Sequence, residues 1–178
     1  VRRALFRRTW IVALSLFVVA ALTGGLFRTV LALGWGIGGL DLGNVRHAHS
    51  HLMYFGWATP ALMALIAYSI ERRTGRRMRG AGPILAIVLV LAVLAYPPFL
   101  LWGYTLAELG DAELPLSFMA AGFNVLGWYA FVYAYARVTR GLRRDAALRA
   151  FDLALFFMVL STLGAWGLTV TQVMGTST

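Results

Sequence analysis

Five apolar stretches, each long enough to cross a hydrocarbon core, alternate with short polar links along this chain. A helical span takes about 20 apolar residues, because inside a bilayer every backbone N–H and C=O must be satisfied within the segment itself. The stretches cover residues 9–32, 46–70, 83–104, 114–136 and 150–173. Composition supports this: 60% of the residues are hydrophobic and 13% charged, a balance that does not suit a water-exposed surface. The chain therefore reads as an all-α integral membrane bundle of five transmembrane helices, a single transmembrane domain over residues 1–178. The first stretch is too long for a signal peptide and lacks a small-residue cleavage site, so it reads as a retained span.

All 16 basic residues are arginine, and their distribution orients the bundle. Arg2, Arg3, Arg7 and Arg8 precede the first span. Arg72, Arg73, Arg76, Arg77 and Arg79 follow the second, and Arg137, Arg140, Arg143, Arg144 and Arg149 lie between the fourth and fifth. These positions all fall on one side, while the opposite side receives the glycine-rich link 34–44 and the acidic link carrying Glu108, Asp111 and Glu113. The positive-inside rule then predicts a cytoplasmic N-terminus, an external C-terminus and a multi-pass protein of the cell inner (cytoplasmic) membrane. The formal charge of +9 is a topology signal and not a nucleic-acid footprint. The expected partners are the lipid bilayer and other membrane subunits or a homo-oligomer. With no cysteine, any metal must use nitrogen, oxygen or thioether ligands, and no thiolate haem or covalent haem attachment is available.

All three histidines, His47, His49 and His51, fall within five positions at the outer mouth of the second span. Imidazole at membrane depth is costly unless something occupies its lone pair or its N–H, and it is the side chain most often used to hold metal or haem iron. On a regular helix, a step of four residues turns about 40° and a step of two about 200°. His47 and His51 therefore share a face, and His49 looks the other way. One reading pairs His47 with His51 as a copper or zinc site; another has His49 alone on haem iron; in the ordinary alternative the rings are hydrated at the headgroup interface.

The run His49-Ser50-His51-Leu52-Met53-Tyr54-Phe55, followed by Pro60-Ala61-Leu62-Met63, resembles the second transmembrane helix of subunit I in the haem-copper oxidase and nitric oxide reductase superfamily. From His49 to Trp57 it is also similar to short bacterial oxidase-like membrane proteins with a His-x-His-Leu-x-x-x-Gly-Trp helix. Gly24-Gly25-Leu26-Phe27-Arg28 resembles the end of that superfamily's first helix. The resemblance implies b-type haem with His49 as axial ligand, His51 as the next candidate, and Arg28 as a haem-propionate partner. It covers only the first two spans. The superfamily takes its remaining ligands from later helices, and this chain has no histidine after His51, so it is not a complete oxidase on its own. His49 and Met53 lie on one helix and cannot clasp opposite faces of one porphyrin. The expected function is haem b-binding in respiratory electron transfer, an oxidoreductase component whose status as an enzyme stays open. Two alternatives stand beside it: copper binding or delivery through His47 and His51, and a cofactor-free accessory subunit of a respiratory complex.

Other features read as packing. Pro97-Pro98 is expected to kink the third span, and Asn124 to bond a neighbouring helix. Asp152 is expected to favour the start of the fifth span and to pair with arginine. Trp128, Tyr129, Tyr133 and Tyr135 read as an aromatic belt, and Gly24, Gly25, Gly122 and Gly127 as close-packing points. Tyr54 and Trp57 are candidate porphyrin walls, and Gln172 reads as a contact for a haem propionate or for water. The closing Gly175-Thr176-Ser177-Thr178 reads as a polar tail or the cut end of a longer chain.

Overall fold

A computed structural model describes residues 3–36, 38–110 and 112–175, apart from the side chains at 109, 172, 173 and 175. Arg2, Asp111, the side chain of Gln172 and residues 176–178 of the tail lie outside the described residues. Five helical segments are long and apolar enough to span a membrane. They comprise α1 (Arg3–Leu33), α2 (Leu42–His51) running through a π-helical stretch (Leu52–Ala58) into α3 (Thr59–Thr74), α4 (Ala81–Trp102), α5 (Leu116–Thr139) and α6 (Ala146–Gly175).

The second span starts four residues earlier than its apolar pattern indicates, because Asp41 caps it. Its carboxylate accepts from the Asn44 N–H at 2.9 Å, and its own backbone stays extended (φ −74°, ψ 129°). A side-chain oxygen at this position satisfies one of the donors a helix start leaves unpaired. The glycine-rich link therefore ends at Asp41 and not at Asn44. The Asn44 amide then donates to the Leu101 carbonyl at 3.2 Å, fastening the start of α2 to the end of α4.

Hydropathy gives no hint of the π-helical stretch. Pro60 lacks an N–H, and in a regular helix its ring would press on the carbonyl four residues back, which belongs to Gly56. The chain meets this by widening the preceding turns, so that the Thr59 N–H reaches the Tyr54 carbonyl. Such segments recur at functional sites. In α4 the helix continues through Pro97 and Pro98 to Trp102. Neither proline can donate, so the carbonyls of Val93 and Leu94 lose their helical partners.

A short antiparallel hairpin, β1 (Ala107–Leu109) with β2 (Ala112–Leu114), interrupts the all-α expectation between α4 and α5. It occupies the acidic link, with Glu108 facing Glu113 across the pair.

The core sits where α3, α4 and α5 meet, around Met63, Ile66, Ile70, Leu85, Val88 and Phe131, all fully buried. Large apolar side chains such as Leu22, Ile87, Phe123 and Phe156 point outwards, as in a bundle solvated by lipid. Asn124 is buried and donates from Nδ2 to the Val88 carbonyl at 2.9 Å, the interhelical bond expected of it. Gly127 on the same helix meets Val88 so closely that a Cβ would stand 2.7 Å from its Cγ2. Gly24 is likewise a contact point, against His49. Gly25 and Gly122 have open space where a Cβ would go, so half of the expected packing glycines are not close contacts.

The aromatic belt also divides. Tyr133 is exposed, whereas Trp128 and Tyr135 are buried. Tyr129 joins a chain of hydrogen bonds between α5 and α6. The Trp166 indole donates to the Tyr129 oxygen at 2.8 Å. Thr162 gives its single proton to the Val159 carbonyl, so the Tyr129 hydroxyl donates to Thr162 at 2.6 Å. Tyr135 donates to Asp152 Oδ1 at 2.6 Å, and Asp152 pairs with Arg144 at 3.2 Å. α6 is thus tied to the bundle by polar contacts at both ends of its interface.

The cap of α6 is Asp145, not Asp152. Its carboxylate accepts from the Leu148 N–H at 2.9 Å and from the Arg73 guanidinium. The amide bond, then Arg73, holds this carboxyl below the usual range. A lowered folded value means the stabilisation is complete above the unfolded value, about pH 4, and fades as pH falls through the folded one. Asn caps helices as well as Asp does, so Asp145→Asn removes the charge and keeps the cap. The stability difference between the two chains in detergent is expected to shrink over the interval in which pH falls from about 5 through the unfolded value of about 4 and below. A difference that stays level across this interval refutes the assignment.

Candidate functional site

The first ten residues of the second span are a regular α-helix, so the histidine geometry follows the simple angular count. His47 and His51 turn towards α4, where both rings meet Tyr104 edge-on, with centroids 4.5 and 5.9 Å away. His49 turns towards α1.

The His49 ring lies against Gly24. A Cβ on that glycine would stand 2.5 Å from Cε1 and 2.7 Å from Nδ1, so only glycine admits the imidazole here. His49 Nδ1 is 2.7 Å from the Ala20 carbonyl. A carbonyl only accepts, which places the ring proton on Nδ1 and leaves the Nε2 lone pair to another partner. The imidazole itself fills the space between α1 and α2 at this level. Beside it, the Thr23 hydroxyl donates to the Val19 carbonyl and accepts from Tyr96 at 2.7 Å, linking α1 to α4. Arg28 is exposed and makes no hydrogen bond or ion pair among the described residues.

His51 has the same tautomer for the same reason, since its Nδ1 lies 2.9 Å from the His47 carbonyl. Its ring stacks on Phe99 with a centroid separation of 3.6 Å and an interplanar angle of 17°, and Phe55 packs edge-on. Two faces of the imidazole environment are thereby set by rigid aromatics. The remaining direction opens into a cleft of about 400 Å³ bounded by Ser50, Tyr54, Phe55, Trp128 and Thr162. A smaller cavity of about 70 Å³, lined by Phe99, Phe118, Gly122, Trp166 and Thr169, adjoins the other side of His51 and Tyr104. Ligand pockets typically occupy about 300–1,000 Å³ with mostly apolar walls and a few fixed polar groups, and the larger cleft fits that description.

Tyr104 sits just beyond the end of α4. Burial pushes its hydroxyl above the ordinary range, against the opposing Arg46 charge, so it remains a neutral phenol. Ser161 and Thr162 bring hydroxyls from α6 to the same cleft.

The residues named from the sequence thus fall into two places. His51 and Tyr54 line the aromatic cleft, with His47 beside it against Tyr104; His49 belongs to the α1 interface, where Trp57 also packs, against Trp10 and Phe17. Among the described residues no group of three or more His, Cys, Asp or Glu converges. The residues that sequence reasoning missed are Phe99, Tyr104, Thr162 and Trp166. They come from α4, the turn after it and α6, and no motif marks those segments as approaching α2. No family model, curated protein or solved structure matches the chain.

Proposed function

We propose that this chain is a haem b-binding integral membrane protein of respiratory electron transfer, its porphyrin held at the histidine end of the second span. One observation carries the reading. Both His49 and His51 fix Nδ1 on a backbone carbonyl, at 2.7 and 2.9 Å, and so keep Nε2 available. Metal-ligating histidines are oriented in this way, the second ring nitrogen being held by a carbonyl or carboxylate. The resemblance of the first two spans to oxidase subunit I supports the same cofactor and points to His49. The cleft supports His51, because that imidazole faces open, aromatic-walled space while the His49 ring is packed against Gly24. The two rings leave α2 in opposite directions, so a single porphyrin takes one of them.

Haem, when bound, supplies a one-electron couple whose potential follows its ligand and the polarity around it. This chain's residues do the rest. Phe99 and the His47 carbonyl hold the His51 ring in one plane and one tautomer, and Trp128, Phe55 and Val125 exclude water from the cleft. Exposed Arg28 is available to an anionic group at the outer surface.

Haem-replete expression and optical spectroscopy test the reading. The native chain is expected to show a Soret band, His51→Ala to lose it, and His49→Ala to retain it. Loss confined to His49→Ala transfers the ligand to that residue; a native chain without the band, or a band that survives both substitutions, refutes haem ligation here.

A further inference from the structure

At the arginine-rich end of the bundle, several guanidiniums are already committed. Arg73 pairs with Asp145, Arg144 pairs with Asp152, and Arg76 donates to the Val138 and Arg140 carbonyls at 3.3 and 2.9 Å, capping the end of α5. Three others are not. Arg77, Arg79 and Arg137 line a cleft of about 540 Å³ between the start of α4 and the last turns of α5, and none of them forms an ion pair or hydrogen bond among the described residues. The Arg137 guanidinium lies 5.8 Å from the centre of the Tyr133 ring, which leaves its N–H edges available. Among the described residues, no carboxylate lines the cleft.

The rest of the lining is Ile84, Ala130, Ala134 and Val138, an apolar wall running from the arginines along the lipid-exposed groove between the two helices. A strongly cationic rim above an apolar groove at a helix end matches one chemistry. A phosphate occupies the rim, and a hydrocarbon chain attached to it follows the groove. Arginine is suited to the first part because its fork donates two parallel bonds to phosphate oxygens. The charge bias assigns this face to the cytoplasmic side, where the leaflet is anionic.

We propose that this cleft is a specific binding site for the phosphate headgroup of an anionic phospholipid. Exposed Tyr133 also lines the cleft, and the small residues Ala130 and Ala134 let the first part of an acyl chain lie close to α5. The site is separate from the histidine cleft at the other end of the bundle and does not depend on the cofactor.

The test uses the chain of residues 1–178 in phosphatidylcholine nanodiscs, with phosphatidylglycerol added in steps and thermal unfolding as the readout. Three chains are compared: the native one, the cleft variant Arg77→Gln/Arg79→Gln/Arg137→Gln, and a charge-matched variant Arg7→Gln/Arg8→Gln/Arg149→Gln on the same face outside the cleft. Stabilisation by phosphatidylglycerol is expected in the native and charge-matched chains, with apparent affinity about tenfold weaker or more in the cleft variant. Equal weakening in both variants reduces the effect to general surface attraction and overturns the site. Inorganic phosphate that stabilises the native chain as well as phosphatidylglycerol does overturns the lipid assignment in favour of a soluble anion. Should the cleft variant fail to fold, native mass spectrometry of the native chain decides: phosphatidylglycerol retained over phosphatidylcholine supports the site, and equal retention rejects it.

Discussion

Gly103→Ala is expected to be the most damaging single-methyl change in this chain, costing about 2–4 kcal/mol. Two independent effects add. Gly103 ends α4 at φ 57° and ψ −116°, a backbone region that residues with a Cβ avoid, while its N–H donates to the Phe99 carbonyl at 3.1 Å. An added Cβ would also overlap the Asn44 side-chain amide, which joins α2 to the Leu101 carbonyl. The next residue is Tyr104, so the same distortion reaches the histidine cleft. Equilibrium unfolding in detergent measures the effect, with Gly34→Ala as the control. Gly34 has φ 66° and open space for 4 Å around the position its methyl group would take, so its loss reports a positive-φ backbone penalty without a side-chain clash, about 1–2 kcal/mol. Equal losses at the two positions refute the Asn44 contact as a determinant.

Gly24→Ala is expected to lower stability by about 1–3 kcal/mol, through overpacking against His49. The Cβ would stand 2.5 Å from Cε1 of the ring, closer than any real contact, so either the imidazole leaves the Ala20 carbonyl or α1 moves away from α2. The effect depends on the ring. In a His49→Ala background the same methyl group enters vacated space, and Gly24→Ala is expected to be near neutral. A double-mutant cycle therefore gives a coupling energy close to the whole single-variant loss. Additive losses disprove the packing. Gly25→Ala, one residue on and facing open space, is expected to change little.

Much of this architecture is legible from residue order. The apolar runs place each span within a few residues, since a continuous run of sufficient length has few alternatives in a bilayer. The opposite facing of His49 and of the His47 and His51 pair also follows from sequence, because Leu42–His51 is a regular helix and angular arithmetic holds along it. Asn124 is recognisable for a related reason: an amide in the middle of a span has only another helix to bond.

Helix ends and helix neighbours are harder to read. The cap of α6 falls to Asp145, since Asp152 lies a full turn and more inside the helix and meets Tyr135 and Arg144 instead. The π-helical stretch arises from Pro60 acting on the turns before it, and an α-helical count along the second span fails from Leu52 onwards. Trp128 and Tyr135 turn inwards while Tyr133, on the same helix, turns out. A belt pattern in the sequence treats all three alike.

Residue order alone determined five helices long and apolar enough to span a membrane, an arginine-rich face and three imidazoles at the opposite end of the bundle, because apolar length and charge act along the chain. Only the tertiary structure decided that His49 fills a glycine notch in α1, and that His51 looks into a cleft closed by aromatic and hydroxyl side chains from the later helices. The reason is the solvent. In water, a helix advertises its buried face by being apolar there and polar elsewhere, whereas in a bilayer both the lipid-facing and the protein-facing sides are apolar. Hydropathy then carries no record of which helix packs against which, and that choice rests on small residues, single hydrogen bonds and shape.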